Sequence, residues 1–234
     1  MIVVNGDSFV HEAHLTDSQK WSTIIGADLN LGIGAGSNDR IFYTTLEFLT
    51  QQNCDTLIIG WTSWLRSFMT KSNGSRYSIC TGKAFDEFAN DSGQLEEDNE
   101  IAEIYYKKTF NEFIQLKHTL MYMLHLQQYC ELRKIKLINF ATVFDETDLT
   151  NAELDRIASM ALMSRKTKDI ARMGTKHNRR VLDGYISKLD AGKWINGKLF
   201  SSMRTTLDHY PKTKDWHIGR EGSAHWATIV KKYL

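Results

Sequence analysis

Short apolar, β-branched runs recur along the chain, and between them apolar residues return every three or four positions. Ile2–Asn5, Leu29–Leu31, Thr56–Gly60 and Lys136–Phe140 read as strands. Asp17–Ala27, with Trp21, Ile24 and Ile25 at helical spacing, and Asn38–Gln52, with Ile41, Leu46 and Leu49 on one face, read as helices, the second capped by Ser37. Strands alternating with helices predict an α/β fold: a parallel sheet with helices on both faces.

The rest of the chain is less regular. Ser72–Gly93 is rich in Ser, Gly and Asn without a period and reads as an irregular insertion, in the place of a lid or substrate loop. Glu100–Arg133 predicts one long amphipathic helix on Ile104, Phe110, Phe113, Leu116, Leu120, Leu124 and Leu126. Asn151–Lys188 reads as helical and basic on one side, Asp190–Arg204 as a loop or hairpin around Gly192 and Gly197, and Glu221–Leu234 as a closing helix on Trp226, Ile229 and Val230. A chain of 234 residues suits one domain spanning 1–234, with insertions at about 72–100 and 155–204.

Composition narrows the function classes. No run approaches the roughly 18 apolar residues of a membrane span, and Met1-Ile2-Val3-Val4-Asn5 lacks the basic start of a secretory signal, so a cytoplasmic protein is expected. Cys54, Cys80 and Cys130 are few and odd in number, which suits a reducing compartment and forms no zinc pattern. With 29 Lys and Arg against 28 Asp and Glu, whole-protein electrostatics give no reason to expect nucleic acid or acidic lipid as partner. Local charge is uneven: basic residues dominate between Asp155 and Arg204, acidic ones between Asp91 and Glu103, and the two stretches could pair.

The first strand breaks at Asn5-Gly6-Asp7-Ser8, a tight turn that presents a serine hydroxyl where open parallel sheets place their ligands. Just before the closing helix stands Asp215-Trp216-His217. A serine hydroxyl is a weak nucleophile until a base takes its proton and a third group orients the base, so the two ends together predict a nucleophilic hydrolase. Taken alone, Asp7 and Ser8 are equally good as the cap of a helix. Asp215 and His217, two residues apart in an extended segment, point to the same side at roughly 6–7 Å. His209, preceded by Asp208, and His225 are rival bases, read more simply as a polar turn before Pro211 and an exposed helical residue. His11 and His14 raise a metal reading that finds no third ligand, and they read instead as lining the mouth beside Ser8. Trp61 and Trp64 after the third strand read as packing, with stacking on a substrate as the alternative.

Three stretches carry a family resemblance: Gly6-Asp7-Ser8, Asn30-Leu31-Gly32-Ile33-Gly34-Ala35-Gly36 and Asp215-Trp216-His217. In that order, from first strand to last helix, the chain resembles the SGNH hydrolases, the GDSL esterase family. The resemblance implies a flavodoxin-like, three-layer α/β/α sandwich and a serine esterase needing neither metal nor organic cofactor. Ser8 would be its nucleophile, His217 the general base and then acid, and Asp215 the orienting carboxylate. It further implies an oxyanion hole with a backbone amide from Ala35 or Gly36 and a side-chain amide after the third strand. There the family's Gly-x-Asn-Asp is replaced by Gly60-Trp61-Thr62-Ser63, so the Thr62 hydroxyl or the Asn38 amide would have to serve. One residue, Trp216, separates Asp215 from His217, where the family commonly has two. These departures motivate an alternative: a binding or structural protein that keeps the sandwich without efficient catalysis. By analogy with the family the substrate is a small-molecule or carbohydrate ester, an O-acetylated carbohydrate first. The runs Gly36-Ser37-Asn38-Asp39-Arg40-Ile41 and Gly60-Trp61-Thr62 are similar to SGNH-like proteins of tailed bacteriophages, which would put the protein in a host cytoplasm.

Overall fold

The computed structural model describes residues 1–70, 76–80, 83–86, 99–160, 168–213 and 217–234. Strands β1 (Ile2–Asn5), β2 (Leu29–Asn30) and β3 (Thr56–Trp61) are parallel; β4 (Arg66–Thr70), β5 (Arg76–Cys80) and β6 (Lys83–Asp86) form a separate antiparallel sheet; β7 (Lys136–Ala141) returns to the first sheet, whose order is β2-β1-β3-β7. The helices are α1 (Ser8–His11), α2 (Trp21–Ile24), α3 (Asn38–Gln51), α4 (Asn99–Lys108), α5 (Glu112–Arg133), α6 (Asn151–Met160), α7 (Lys168–Ile186), α8 (Met203–Thr206) and α9 (Arg220–Lys231).

Alternation along the strands sorts the core into two layers. Val3, Leu57, Ile59 and Leu137 pack on one face with Ile41 and Leu49 of α3, Leu116 and Leu120 of α5, and Leu182 of α7. Val4, Ile58, Ile138 and Phe140 pack on the other with Trp21 of α2 and Trp226 and Val230 of α9. Covered on both sides, β3 is buried at every position, which is why it reads as an unbroken apolar run. The fold is α/β, a parallel sheet flanked by helices. Among the described residues no helix is long and apolar enough to cross a membrane.

Several elements differ from the sequence reading. The irregular insertion expected over Ser72–Gly93 contains strands β5 and β6, with β4 ahead of it; residues 71–75, 81–82 and 87–98 lie outside the described ones. These strands are four or five residues long, too short for a period to stand out. The single helix expected over Glu100–Arg133 is two, because Asn111 leaves the helical path and its side chain accepts from the Ile114 amide to start α5 afresh. Asn151–Lys188, expected to be helical, holds α6 and α7, with residues 161–167 outside the described ones. The segment expected to be a loop or hairpin, Asp190–Arg204, holds two 3-10 turns and the start of α8, and it touches β7 through parallel bridges Asn139 to Trp194 and Ala141 to Ser202. Ser37 does stand at the cap position of α3, but its hydroxyl donates to Asp39 instead of accepting from the helix.

Four of the described cations of the basic stretch are held in ion pairs. Arg156 bonds Glu112 and Glu153, Arg179 bonds Asp155 and Asp183, Lys193 meets Glu131, and Lys198 pairs with Glu146. Most of the acidic stretch with which pairing was expected, residues 91–98, lies outside the described ones; Glu103 pairs with Lys107.

Candidate active site

At the carboxyl end of β1 the chain turns directly into α1, and Asp7 is the residue that makes this possible. Its backbone is extended, its Oδ1 accepts from the Phe9 amide at 3.0 Å, and its carbonyl accepts from Val10 and His11, so α1 begins at Ser8. Asp7 is fully buried. Its Oδ2 accepts from Thr62 Oγ1 at 2.7 Å, Thr142 Oγ1 at 2.9 Å and Arg66 Nη1 at 3.1 Å. Strands β1, β3 and β7 are thus tied at one carboxylate beneath the serine.

Short α1 sits close on the sheet because three strand ends finish in glycine. A Cβ on Gly6 would clash with the Val10 side chain and stand 2.9 Å from the Gly60 carbonyl; on Gly32 it would be 2.9 Å, and on Gly60 2.8 Å, from Val10 methyls. Val10 therefore seats where no other residue leaves room. Asn5, also buried, donates to Thr44 and Thr45 of α3 and accepts from the Gly6 amide, which fixes the turn on the other face. Asn30 holds the loop after β2 by donating to the Val10 carbonyl and accepting from Gly32.

Ser8 is partly exposed at the first position of α1. Its N–H has no acceptor among the described residues, and neither has that of Ala35, which adopts a left-handed φ of 54°. Gly36 lies against this turn: a Cβ there would be 3.2 Å from the Gly6 carbonyl and 3.4 Å from Asp7 Cα. Its own N–H makes a long 3.4 Å bond to Ile33. The loop after β2 thus lies against the turn that carries Ser8.

The side-chain donors expected there are otherwise engaged. Asn38 Nδ2 donates to the Thr62 carbonyl at 2.8 Å and to Thr119 Oγ1 at 3.2 Å, while its Oδ1 accepts from the Thr62 amide at 2.8 Å. Both amide hydrogens are used. The Thr62 hydroxyl is spent on Asp7. In this arrangement both residues brace the end of β3.

The far end of the chain comes to the same place. His217 is 5.0 Å, ring to ring, from Phe9 and 5.2 Å from His14. Its loop is clasped by its carbonyl accepting from the Thr213 amide at 2.8 Å and its amide donating to Thr213 Oγ1 at 3.1 Å, with Lys212 and Ile218 bridged antiparallel. His14 is 2.8 Å from the Ile218 carbonyl through Nε2. Asp215 and Trp216 lie outside the described residues. His209 and His225 are exposed and gather around Tyr210, at 4.4 and 5.3 Å.

No family model matches the chain, and no curated protein does. Solved structures do. The chain is similar to a G-D-S-L family protein of Desulfitobacterium hafniense DCB-2 (TM-score 0.48, 11% identity, 100% of this chain and 98% of that one). It is also similar to an acetyl xylan esterase (0.45, 10%, 100% of each) and to a GDSL-like lipase of Bacteroides thetaiotaomicron VPI-5482 (0.45, 12%, 99% and 85%).

Two histidines near the serine have other surroundings than expected. The helix ends at His11 because Glu12 turns left-handed at φ 49°, so His11 and His14 do not share a helical face. Burial, with the positive charges of Lys20 and Arg40, lowers the His11 pKa, and its buried Nδ1 has no partner among the described residues. His11 is neutral near pH 7. Trp61 and Trp64 are buried and donate to Asn139 and Glu112, as packing residues do. Sequence reasoning missed Arg66, Thr142 and Glu12; a buried carboxylate after a strand asks for donors, but nothing local names them.

Proposed function

We propose that the protein is a serine hydrolase acting on acyl esters of small molecules or carbohydrates. The observation that carries this reading is the meeting of the two chain ends: Ser8 opens a helix at the sheet's carboxyl edge, and His217 packs on the adjacent Phe9. Ser8 Oγ attacks the acyl carbonyl as His217 takes its proton, with Asp215 orienting the imidazole. The tetrahedral oxyanion is held by the N–H groups of Ser8 and of Ala35 or Gly36. Collapse expels the alcohol, which receives the proton from His217, and water then releases the acid by the same steps in reverse roles. No metal or organic cofactor takes part.

A second reading, a binding protein with little turnover, is favoured by one observation: the Asn38 side chain is committed to the Thr62 backbone and to Thr119, and the Thr62 hydroxyl to Asp7. Losing one oxyanion donor costs about 10²–10³ in rate, so the hydrolase is expected to be slow. Steady-state hydrolysis of short-chain acyl esters separates the two. Ser8→Ala and His217→Ala should each lower kcat by about 10³-fold or more. Turnover that survives Ser8→Ala, or wild-type protein without turnover, contradicts the hydrolase reading.

A further inference from the structure

Arg66 opens β4, outside the parallel sheet, yet its guanidinium reaches the serine's turn. Nη1 donates to Asp7 Oδ2 at 3.1 Å and to the Gly36 carbonyl at 3.4 Å, and the side chain remains 16% exposed. Asp7 is the residue before Ser8, and Gly36 belongs to the loop whose amides face the same turn. A guanidinium carries five N–H donors, and Nη1 supplies two of them. Nε and Nη2 bond none of the described residues. Their edge is the one that grips a carboxylate with two parallel hydrogen bonds.

Asp7 does not need this arginine for its hydrogen bonds, since Phe9, Thr62 and Thr142 already donate to it. A neutral donor at position 66 would complete the same cluster. What arginine adds is a planar cation pinned at one nitrogen on the residue before Ser8, with a second edge that bonds none of the described residues.

We propose that Arg66 determines specificity by holding a carboxylate of the substrate through Nε and Nη2, so that the esters this site takes are anionic ones. The proposal rests on Ser8 being the nucleophile and adds the substrate's charge to that reading. Two matched pairs put the charge on either side of the ester: ethyl hydrogen succinate against ethyl butyrate, and O-acetylglycolate against isobutyl acetate. The wild type should prefer the anionic member of at least one pair. In Arg66→Gln the ratio of anionic to neutral kcat/KM should fall about 10- to 100-fold, mostly through KM, the loss expected for a charged hydrogen-bonded pair. Arg66→Lys keeps the charge beside Asp7 but not the fork, so it should also lose the preference. Unchanged ratios in both pairs, equal losses on charged and neutral esters, or full retention in Arg66→Lys would overturn the proposal.

A binding arm separates this failure from failure of the hydrolase reading. Calorimetric titration of Ser8→Ala with succinate and with O-acetylglycolate needs no turnover. At least one should bind about tenfold or more tightly than it binds the Ser8→Ala, Arg66→Gln double variant. Equal binding of both ligands by the two proteins overturns the role of Arg66 even if Ser8 proves catalytic.

Discussion

Asp7 accepts four hydrogen bonds while fully buried, and three of them come from side chains on other strands or loops. An amide in its place would turn an N–H toward groups that can only donate or that already do. Breaking a buried, charge-assisted cluster from one side is costly, so Asp7→Asn is expected to lose about 3 kcal/mol in urea denaturation. A loss under about 1 kcal/mol would show that the cluster is not cooperative. The Asn5-Gly6-Asp7-Ser8 turn was legible in the sequence because a β-branched run stops there. The cluster was not, since Thr62, Arg66 and Thr142 stand 55, 59 and 135 residues away. Asn38 was noticed for its proximity in sequence to the second-strand loop, but its use as a brace for Thr62 depends on how α3 meets the end of β3.

Between elements, Glu12 ties the end of α1 to the start of α2 and lies beside Ser223 of α9. Its Oε2 accepts from the Trp21 amide at 2.8 Å, at the start of α2. The Ser223 hydroxyl of α9, within reach of the carboxyl, donates instead to the Gln19 carbonyl at 2.9 Å, and buried Oε1 has no partner among the described residues. Burial pushes the carboxyl from 4.5 up to about 8, against the smaller opposing effects of Ser223, Trp21 and Lys20. When protonated, Oε1 becomes a donor and can use the Ser223 oxygen. The folded state then holds a proton that the unfolded chain releases near pH 4.5. Stability from this residue is complete below that pH and is lost as pH rises toward about 8, by at most about 1.4 kcal/mol per unit. In Glu12→Gln the amide supplies the donor at every pH. Denaturation midpoints measured from pH 5 to 9 should decline less in the variant than in the wild type, and parallel curves would refute the linkage. Sequence periodicity found β1, β3, β7, α3 and α9, while the helix expected over Asp17–Ala27 is a 3-10 turn, Asp17–Gln19, followed by the four-residue α2. It missed the β4–β6 sheet and the α4–α5 break, because short strands and one Asn cap leave little periodic signal.

Across the whole molecule, the sheet order β2-β1-β3-β7 puts the first strand near the middle, and α9 returns the C-terminal segment to the face beside α2. That topology brings His217 against Phe9 and His14 against Ile218, although more than 200 residues separate each pair in the chain. Within the 155–204 region Arg156, Arg179, Lys193 and Lys198 are held in ion pairs with Glu112, Glu131, Glu146, Glu153, Asp155 and Asp183, so part of what composition shows as a basic stretch is compensated by neighbouring carboxylates. The proposed hydrolysis requires that this convergence activate the serine. Labelling with a fluorophosphonate, read by peptide mass spectrometry, tests it most directly, because the reagent modifies a serine only where a neighbouring base has made it nucleophilic. The account predicts one modified residue, Ser8, with labelling slowed by a large factor in His217→Ala. Protein that stays unmodified, or that labels equally fast without His217, contradicts it.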